Sequence, residues 1–313
     1  MKIIQTILTS AYFSEAPPVL IDIGASGEIN AKWRSIAPYS VCLAFDADDR
    51  EFHITEQANQ TYKRLITFNR IVTSAAAKEA DFYLTASPFC SSLLSPATDK
   101  LKPWVFSELF TVERVAKLPT ITIEESLKQV KIDYIDWFKT DTQGTDLRLF
   151  TSLPAALQDG ILAAEFEPGI IDAYMGEDKL YSVMQEMHRR AFWLSTMDVK
   201  GVQRLRSDQA AGVSPFVASK MLRKSPGWAE VTYLKQPAAL TSRQLLLLYV
   251  FALLERQYGF ALEITDVAMR QSPDALFRDC QTAAKEQLTK ERRRTPLVFF
   301  KRKINKLLSR IHD

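Results

Sequence analysis

The stretch Val19-Leu20-Ile21-Asp22-Ile23-Gly24 decides the fold. It is a short apolar run that ends at a glycine, a pattern that predicts a buried parallel strand entering a tight turn. A second run, Val41-Cys42-Leu43-Ala44-Phe45, has the same character and ends at Asp46. The segment between the two runs favours a helix through Trp33. Together they predict the first β-α-β unit of a parallel sheet.

Strand and helix patterns alternate from about residue 19 to residue 235. This alternation predicts an α/β domain with a mostly parallel, Rossmann-like sheet and helices on both faces. Further strands are predicted at 65–72, 81–84, 119–123, 134–140, 161–166, 192–199 and 229–234, and helices at 145–153 and 177–190. From Thr241 the pattern becomes helical, because the apolar run Leu245 to Leu254 is too long for a typical strand. We therefore expect a sheet domain at 1–236 and a helical extension at 237–313.

The composition is that of a globular protein. The chain has 313 residues, of which 47% are hydrophobic and 25% are charged, so disordered and collagen-like classes are excluded. No apolar run is long enough for a membrane-spanning helix, and no signal peptide is expected. The three cysteines and three histidines show no zinc-ligand spacing. An odd number of cysteines without a secretory signal favours a reducing cytoplasm.

Positive charge is concentrated at the C-terminus. Residues 285–313 contain ten basic and three acidic residues, a net charge of +7, which leaves −4 for the other 284 residues. A mildly acidic body argues against nucleic-acid binding. The tail predicts an amphipathic helix with an apolar stripe opposite a basic face, which either lies on an anionic inner membrane surface or packs on the body or a second subunit. The stripe consists of Leu297, Phe300, Ile304, Leu307, Leu308 and Ile311, and the basic face of Arg302, Lys303, Lys306 and Arg310.

The ends of the first two strands predict a nucleoside-containing cofactor. In open parallel sheets, ligands bind at the carboxyl ends of the strands. Gly24 lets the backbone turn close to a ligand, and the amides at the following helix start attract a carboxylate or phosphate. Asp46 lies 22 residues beyond Gly24 and can accept hydrogen bonds from ribose hydroxyls.

The glycine spacing distinguishes between cofactors. A dinucleotide site expects G-x-G-x-x-G, whereas only Gly27 follows Gly24 here and no third glycine is near. Asp22 suits the cationic amino-acid end of S-adenosylmethionine better than a pyrophosphate, although a purely structural role is the alternative. An NAD-dependent oxidoreductase is thus the second hypothesis. A non-catalytic interaction protein that retains the fold is the third.

Acidic residues also follow the later strands. Asp141 follows the strand 134–140, and Glu165 and Glu167 end the strand after it. Several acids at neighbouring strand ends are costly to bury unless a cation lies among them, and a sulfonium, an ammonium or a divalent metal would serve. Asp141 and Glu165 are the candidates for a general base or metal ligand. The alternative is that Asp141 only binds cofactor and Glu165 is structural.

Several of these motifs occur in a familiar order. They are IDIGASG at 21–27, FDAD at 45–48, LPTITIEESL at 118–127, IDYIDWFKTDTQGTDL at 132–147 and AAEFEP at 163–168, with Tyr174 following. In this order and spacing, over roughly residues 17–200, the chain resembles FkbM-type S-adenosylmethionine-dependent methyltransferases. The resemblance implies a seven-strand methyltransferase sheet and methyl transfer to oxygen, often on sugars, glycans or other secondary metabolites.

The resemblance also implies roles for particular residues. Those at the methionine end of the cofactor are Asp22, Gly24, Ala25, Ser26 and Gly27. Asp46 would bind the ribose, Ala47, Ser74 and Ala75 would lie near the adenine, and Asp141 near the methionine end or the transferred methyl. The acceptor side would comprise Ser91, Ser92, Glu167 and Tyr174. This chain departs from the family pattern at Gln143, where many relatives carry an acid, and in its long helical extension.

Overall fold

The computed structural model describes residues 2–25, 31–48, 50, 61–210, 212–214 and 222–311, and for 207, 210 and 294–311 it describes the backbone alone. The chain forms two compact units, Phe13–Gln236 and Met1–Tyr12 together with Pro237–Asp313. The sequence had placed residues 1–12 in the sheet domain, which the structure corrects. The first helix buries Ile4, Ile7 and Leu8 within the helical unit, and the Tyr12 hydroxyl donates to Asp274 at 3.0 Å. That helix is too short to reveal its partner by periodicity.

The sheet unit is built on seven strands in the order β3-β2-β1-β7-β8-β10-β9. They are β1 (Val19–Ile23), β2 (Val41–Phe45), β3 (Arg64–Phe68), β7 (Trp137–Thr140), β8 (Ala163–Phe166), β9 (Phe192–Val202) and β10 (Ser225–Lys235). β1, β2, β3, β7 and β8 run parallel, whereas β10 is antiparallel to both β8 and β9. The predicted α/β, Rossmann-like fold with a C-terminal helical region is confirmed.

Burial explains why these strands were readable from sequence. All residues of β1 and β2 are buried, as expected for parallel strands covered on both faces. The core beside them contains Phe138, Phe150 and Phe166, whose rings meet edge to face or at a tilt with centroids 5.6–6.2 Å apart.

A second, three-stranded sheet consists of β4 (Ile71–Val72), β6 (Val112–Ile121) and β5 (Glu79–Thr85). The sequence predicted one strand over 65–72, but the structure ends β3 at Phe68 and pairs β4 with β6 instead. β6 extends well before the predicted 119–123. Most of its residues are exposed, so it lacks the apolar pattern that marks a buried strand.

The helices of the sheet unit are α2 (Thr98–Leu101), α3 (Ile123–Val130), α4 (Asp146–Thr151), α5 (Ala155–Gly160), α6 (Leu180–Arg189) and α7 (Ser207–Ala210). The helical unit contains α1 (Lys2–Leu8), α8 (Ser242–Leu254), α9 (Tyr258–Gln271) and α10 (Ala275–Ile311). A capping box between Thr241 and Gln244 starts α8. The predicted apolar stripe of the tail lies outside the residues whose side chains are described. None of the described helices is both long and apolar enough to cross a membrane.

Candidate functional site

A cleft of about 470 Å³ lies at the carboxyl ends of β1, β2 and β7. β1 and β7 are neighbours in the sheet, and the chain continues from them toward opposite edges. This is the topological switch point at which open α/β sheets bind ligands. The sequence-predicted residues that line the cleft are Gly24, Asp46, Ala47, Ser91, Asp141, Glu167 and Tyr174.

The turn after β1 requires glycine. Gly24 has a φ of +78°, and a Cβ there would lie 2.0 Å from the Asp141 carbonyl oxygen. The amides of Gly24 and Ala25 donate to the Phe45 carbonyl at 2.9 and 3.1 Å. Ala25 is buried and does not line the cleft. The predicted contacts of Ser26 and Gly27 lie outside the described residues.

Asp22 is not a cleft residue, which corrects its predicted place at the methionine end. Its carboxylate is fully buried and accepts a hydrogen bond from Lys139 Nζ at 2.6 Å. The two residues stand opposite each other in the register of β1 and β7. Burial opposes the charge on Lys139, but the carboxylates of Asp22 and Asp141 raise the pKa of its ammonium group overall. Asp22 and Lys139 therefore form a buried ion pair beneath the cleft.

Asp46 is positioned for a hydroxyl ligand. Its amide donates to the Phe68 carbonyl at 3.3 Å, and its Oδ1 accepts from the Asp48 amide at 2.9 Å. Burial raises the pKa of Asp46 to about 6, so the group is largely ionised at neutral pH. A carboxylate at this strand end can accept hydrogen bonds from two adjacent hydroxyls.

Ser74 and Ala75 do not flank this cleft, contrary to the sequence prediction. They border a separate shallow depression next to the start of α3. The residues that line the cleft here are Arg70, Ile71 and Val72. The sequence predicts that the third strand ends at residue 72, four residues beyond its end in the structure, and this difference shifts the predicted adenine contacts along the chain.

Asp141 and Glu167 form a carboxyl pair in the cleft. Their side chains are hydrogen-bonded to each other, and Asp141 Oδ1 also accepts from Gln143 Nε2 at 2.7 Å. Burial raises the pKa of Asp141, and burial together with the Asp141 charge raises the pKa of Glu167 to about 9. Glu167 therefore keeps its proton at neutral pH and can donate it to Asp141.

Buried Asp146 fixes the loop that carries this pair, a role that sequence reasoning missed. Its Oδ1 accepts from the amide and hydroxyl of Thr142 at 2.9 and 2.6 Å. Its Oδ2 accepts from the Glu167 amide at 2.7 Å. The loops after β7 and β8 are therefore tied to one carboxylate. The sequence signal was an aspartate two residues after the turn glycine, Gly144.

Glu165 does not line the cleft. It forms an ion pair with Lys32 at 3.1 Å, and its strand neighbour on β10 is Thr232. We therefore replace the predicted Glu165 by Glu167 as the second acid of the site. The described residues contain no group of three or more potential metal ligands.

The serines and Tyr174 hold loops together. The Ser91 hydroxyl accepts from the Thr85 amide at 3.1 Å and from Arg50 at 2.9 Å. Ser92 donates to the Gln143 carbonyl at 2.8 Å and does not line the cleft. The Tyr174 hydroxyl lies 2.9 Å from the Cys90 carbonyl and 3.2 Å from Gln143 Oε1. Accepting at Oε1 and donating from Nε2 toward Asp141 fixes the orientation of the Gln143 amide.

The cleft also has an aromatic wall, which we define as Phe89, Phe106, Phe110, Tyr174 and Trp228. Phe106 stacks on Trp228 with centroids 6.2 Å apart and meets Phe110 edge to face at 5.0 Å. Phe110 meets Tyr174 at 5.5 Å. Sequence reasoning found only Tyr174, because the other rings come from well-separated segments without a shared motif.

Carboxyl groups dominate the charged lining. They belong to Asp46, Asp48, Asp141, Glu167 and Glu177, whereas Arg70 is the one cationic residue among the described lining residues. Glu167 is protonated at neutral pH but Asp46 is largely ionised, so an anion would be desolvated beside negative charge and the cleft favours cationic or neutral ligands.

A scan against protein-family models finds no matching family, and a search of curated proteins finds no matching sequence.

Proposed function

We propose that this protein is an S-adenosylmethionine-dependent methyltransferase that methylates a hydroxyl group of a sugar, glycan or other secondary metabolite. The observation that carries the proposal is that Gly24 and Asp46, from adjacent strand ends, open into one acid-lined cleft at the switch point of a seven-strand sheet. The seven strands agree with the methyltransferase sheet implied by the resemblance of the sequence motifs.

The residues present fit the cofactor. Gly24 turns the backbone at a φ of +78° and lines the cleft, so a ligand can approach the backbone there. Asp46 would hold the ribose hydroxyls, and the aliphatic side chains of Ile71 and Val72 would contact the adenine. Asp141 would face the positively charged methionine end. A sulfonium or ammonium bound beside Asp141 would favour the ionised form of its carboxyl group.

Two features disfavour the oxidoreductase alternative. A pyrophosphate needs cations or a glycine-rich helix start, and the described cleft lining supplies Arg70 against five carboxyl groups. In addition, antiparallel β10 lies between β8 and β9, whereas the six-strand dinucleotide fold is mostly parallel with a regular 3-2-1-4-5-6 order.

Methyl transfer to a hydroxyl requires that the protein align the acceptor and that a base take its proton. When bound, S-adenosylmethionine supplies an activated methyl group for in-line displacement by the acceptor oxygen. The cleft aligns the acceptor, and alignment of this kind contributes on the order of 7–11 kcal/mol. Asp141 is the candidate base that takes the hydroxyl proton, which contributes roughly 10²–10⁴-fold. Glu167 is protonated at neutral pH and keeps the Asp141 carboxylate oriented.

Hydrogen–deuterium exchange tests this assignment. Saturating S-adenosylhomocysteine should slow exchange of the backbone at 23–25, 45–48 and 141–144, while NAD should leave these segments unchanged. Protection by NAD alone would favour the oxidoreductase. Protection by neither would favour the non-catalytic interaction protein.

We place the protein in the cytoplasm, with α10 as its contact to an anionic inner membrane surface or to a second copy. Support comes from the continuous helix Ala275–Ile311, which carries the basic residues of the tail. Sedimentation of the full chain with vesicles that contain anionic lipid tests the membrane contact, with neutral vesicles as the control. Self-association would instead appear as a concentration-dependent mass in sedimentation equilibrium.

A further inference from the structure

The aromatic wall stands apart from the positions assigned to the cofactor. Gly24 and Asp46 follow β1 and β2, whereas Trp228 lies on β10, which β7 and β8 separate from β1. Phe106 and Phe110 join Trp228 and Tyr174 through ring contacts. The wall is therefore free to contact a second molecule while the strand ends β1 and β2 hold the first.

The wall continues to the surface of the molecule. Phe89 is 63% exposed and Leu109 is 45% exposed, yet both line the cleft. Their loops are joined by a hydrogen bond from the Ser87 amide to the Leu109 carbonyl at 3.1 Å. Large apolar side chains held at the mouth of a cleft indicate a surface that is covered by a ligand.

The charges beside the wall exclude anions. Tyr174 is connected through Gln143 to the Asp141 carboxylate. Glu177 also lines the cleft, with its Oε1 accepting from Lys179 at 2.6 Å and from the Ala173 amide at 2.7 Å. The Lys179 ammonium is thus engaged by Glu177, and it also pairs with Asp172 at 2.9 Å. Beside the wall, an acceptor carboxylate or phosphate would therefore meet these carboxyl oxygens, whereas the cationic lining residue Arg70 follows β3, far from β10 in the strand order.

We infer that the acceptor of the proposed methyl transfer is a compound without negative charge that presents an apolar ring to the aromatic wall. That this compound is a methyl acceptor rests on the proposed function, but the preference for uncharged or cationic rings is a property of the wall and its neighbouring carboxyl groups. We expect the wall to bind neutral and cationic ring compounds more tightly than phosphorylated or carboxylated ones.

Saturation-transfer NMR with three matched compounds tests the inference. Benzyl alcohol, benzylammonium and benzoate have the same ring and differ in charge. We expect the first two to receive saturation and to bind at least about tenfold more tightly than benzoate at neutral pH, with S-adenosylhomocysteine present. Equal or tighter binding of benzoate, or absence of binding by all three, would overturn the inference.

Variants locate the binding. Phe89→Ala removes a mostly exposed ring, so the fold should tolerate it, and it should weaken benzyl alcohol binding severalfold. Trp228→Ala should abolish binding and Trp228→Phe should retain it. Tyr181→Ala is the control, because Tyr181 is 73% exposed and lies outside the cleft. If Tyr181→Ala weakens binding as much as Phe89→Ala, the ring is not held by the wall.

The same experiment without cofactor separates this inference from the proposed function. If S-adenosylhomocysteine does not bind but benzyl alcohol is still held and benzoate excluded, the methyltransferase assignment fails and the ring preference stands. If S-adenosylhomocysteine binds and benzoate is accepted equally, the ring preference fails and the methyltransferase assignment stands.

Discussion

Substituting Gly24 by alanine perturbs the closest approach of two strand ends in the site. The new Cβ would lie 2.0 Å from the Asp141 carbonyl oxygen and 3.0 Å from its carbonyl carbon, so the ends of β1 and β7 must move apart. The φ of +78° adds a second cost, because an L-residue in left-handed backbone loses about 1–2 kcal/mol. Forced displacement of packed atoms typically costs about 1–3 kcal/mol. The expected destabilisation is therefore about 2–5 kcal/mol.

Gly176→Ala supplies the matched control. Gly176 has a φ of +71°, and a Cβ there would have nothing within 4 Å. This variant carries the backbone strain without the collision and should lose about 1–2 kcal/mol. The difference between the two variants then measures the close approach of Gly24 to Asp141.

Urea unfolding followed by tryptophan fluorescence measures both variants. The five tryptophans, Trp33, Trp104, Trp137, Trp193 and Trp228, all lie within the sheet unit, so the signal reports that unit alone. Gly24→Ala should also lose S-adenosylhomocysteine binding, which Gly176→Ala should keep. Equal destabilisation by the two variants would refute the argument that glycine is required at 24 by contact with β7.

Three further predictions follow from the charged groups. Lys139→Met removes the cation that pairs with the buried Asp22 carboxylate and should cost about 3–5 kcal/mol in urea unfolding. Asp22→Asn combined with Lys139→Met should recover most of this loss, and no recovery would contradict the ion-pair account. Because the pKa of Asp46 is about 6 in the free protein and its carboxylate form binds ribose, affinity for S-adenosylhomocysteine should be constant above neutral pH and fall up to tenfold per pH unit below about 6. Calorimetry with Asp46→Asn should show weaker binding without this slope, and an unchanged slope would point to another group. Glu167 keeps its proton in the folded protein between its ordinary pKa of 4.5 and about 9, so its contribution to the free energy of unfolding falls by up to about 1.4 kcal/mol per pH unit as the pH rises through that range. Glu167→Gln should remove this slope in urea unfolding. A variant that keeps the wild-type slope would contradict the assigned pKa.

The fold could be predicted from the sequence where buried strands consist of apolar residues. Three strands, β1, β2 and β8, are short runs of mostly apolar residues, and each ends close to the strand end that the sequence predicted. Gly24 and Asp46 were found because strand ends are the positions at which a parallel sheet presents ligands. The rule requires only local sequence and the order of elements.

The remaining residues depend on tertiary contacts that no local pattern contains. The order of strands and helices does not predict that Asp22 pairs with Lys139. It also does not predict that Glu165 pairs with Lys32 whereas Glu167 lines the cleft. The stacked rings of Phe106 and Trp228 belong to residues that are more than a hundred positions apart in the sequence. The early end of β3 shifted the adenine prediction to Ser74, because a following two-residue strand extended the apparent run.

Isothermal titration calorimetry at neutral pH tests the central claim most directly. S-adenosylmethionine, S-adenosylhomocysteine and NAD would be titrated into the wild-type chain and into Asp46→Ala. The account predicts micromolar binding of both sulfur compounds to the wild type, loss of that binding in Asp46→Ala, and no binding of NAD. Preferential binding of NAD, or wild-type binding of neither sulfur compound, would contradict it.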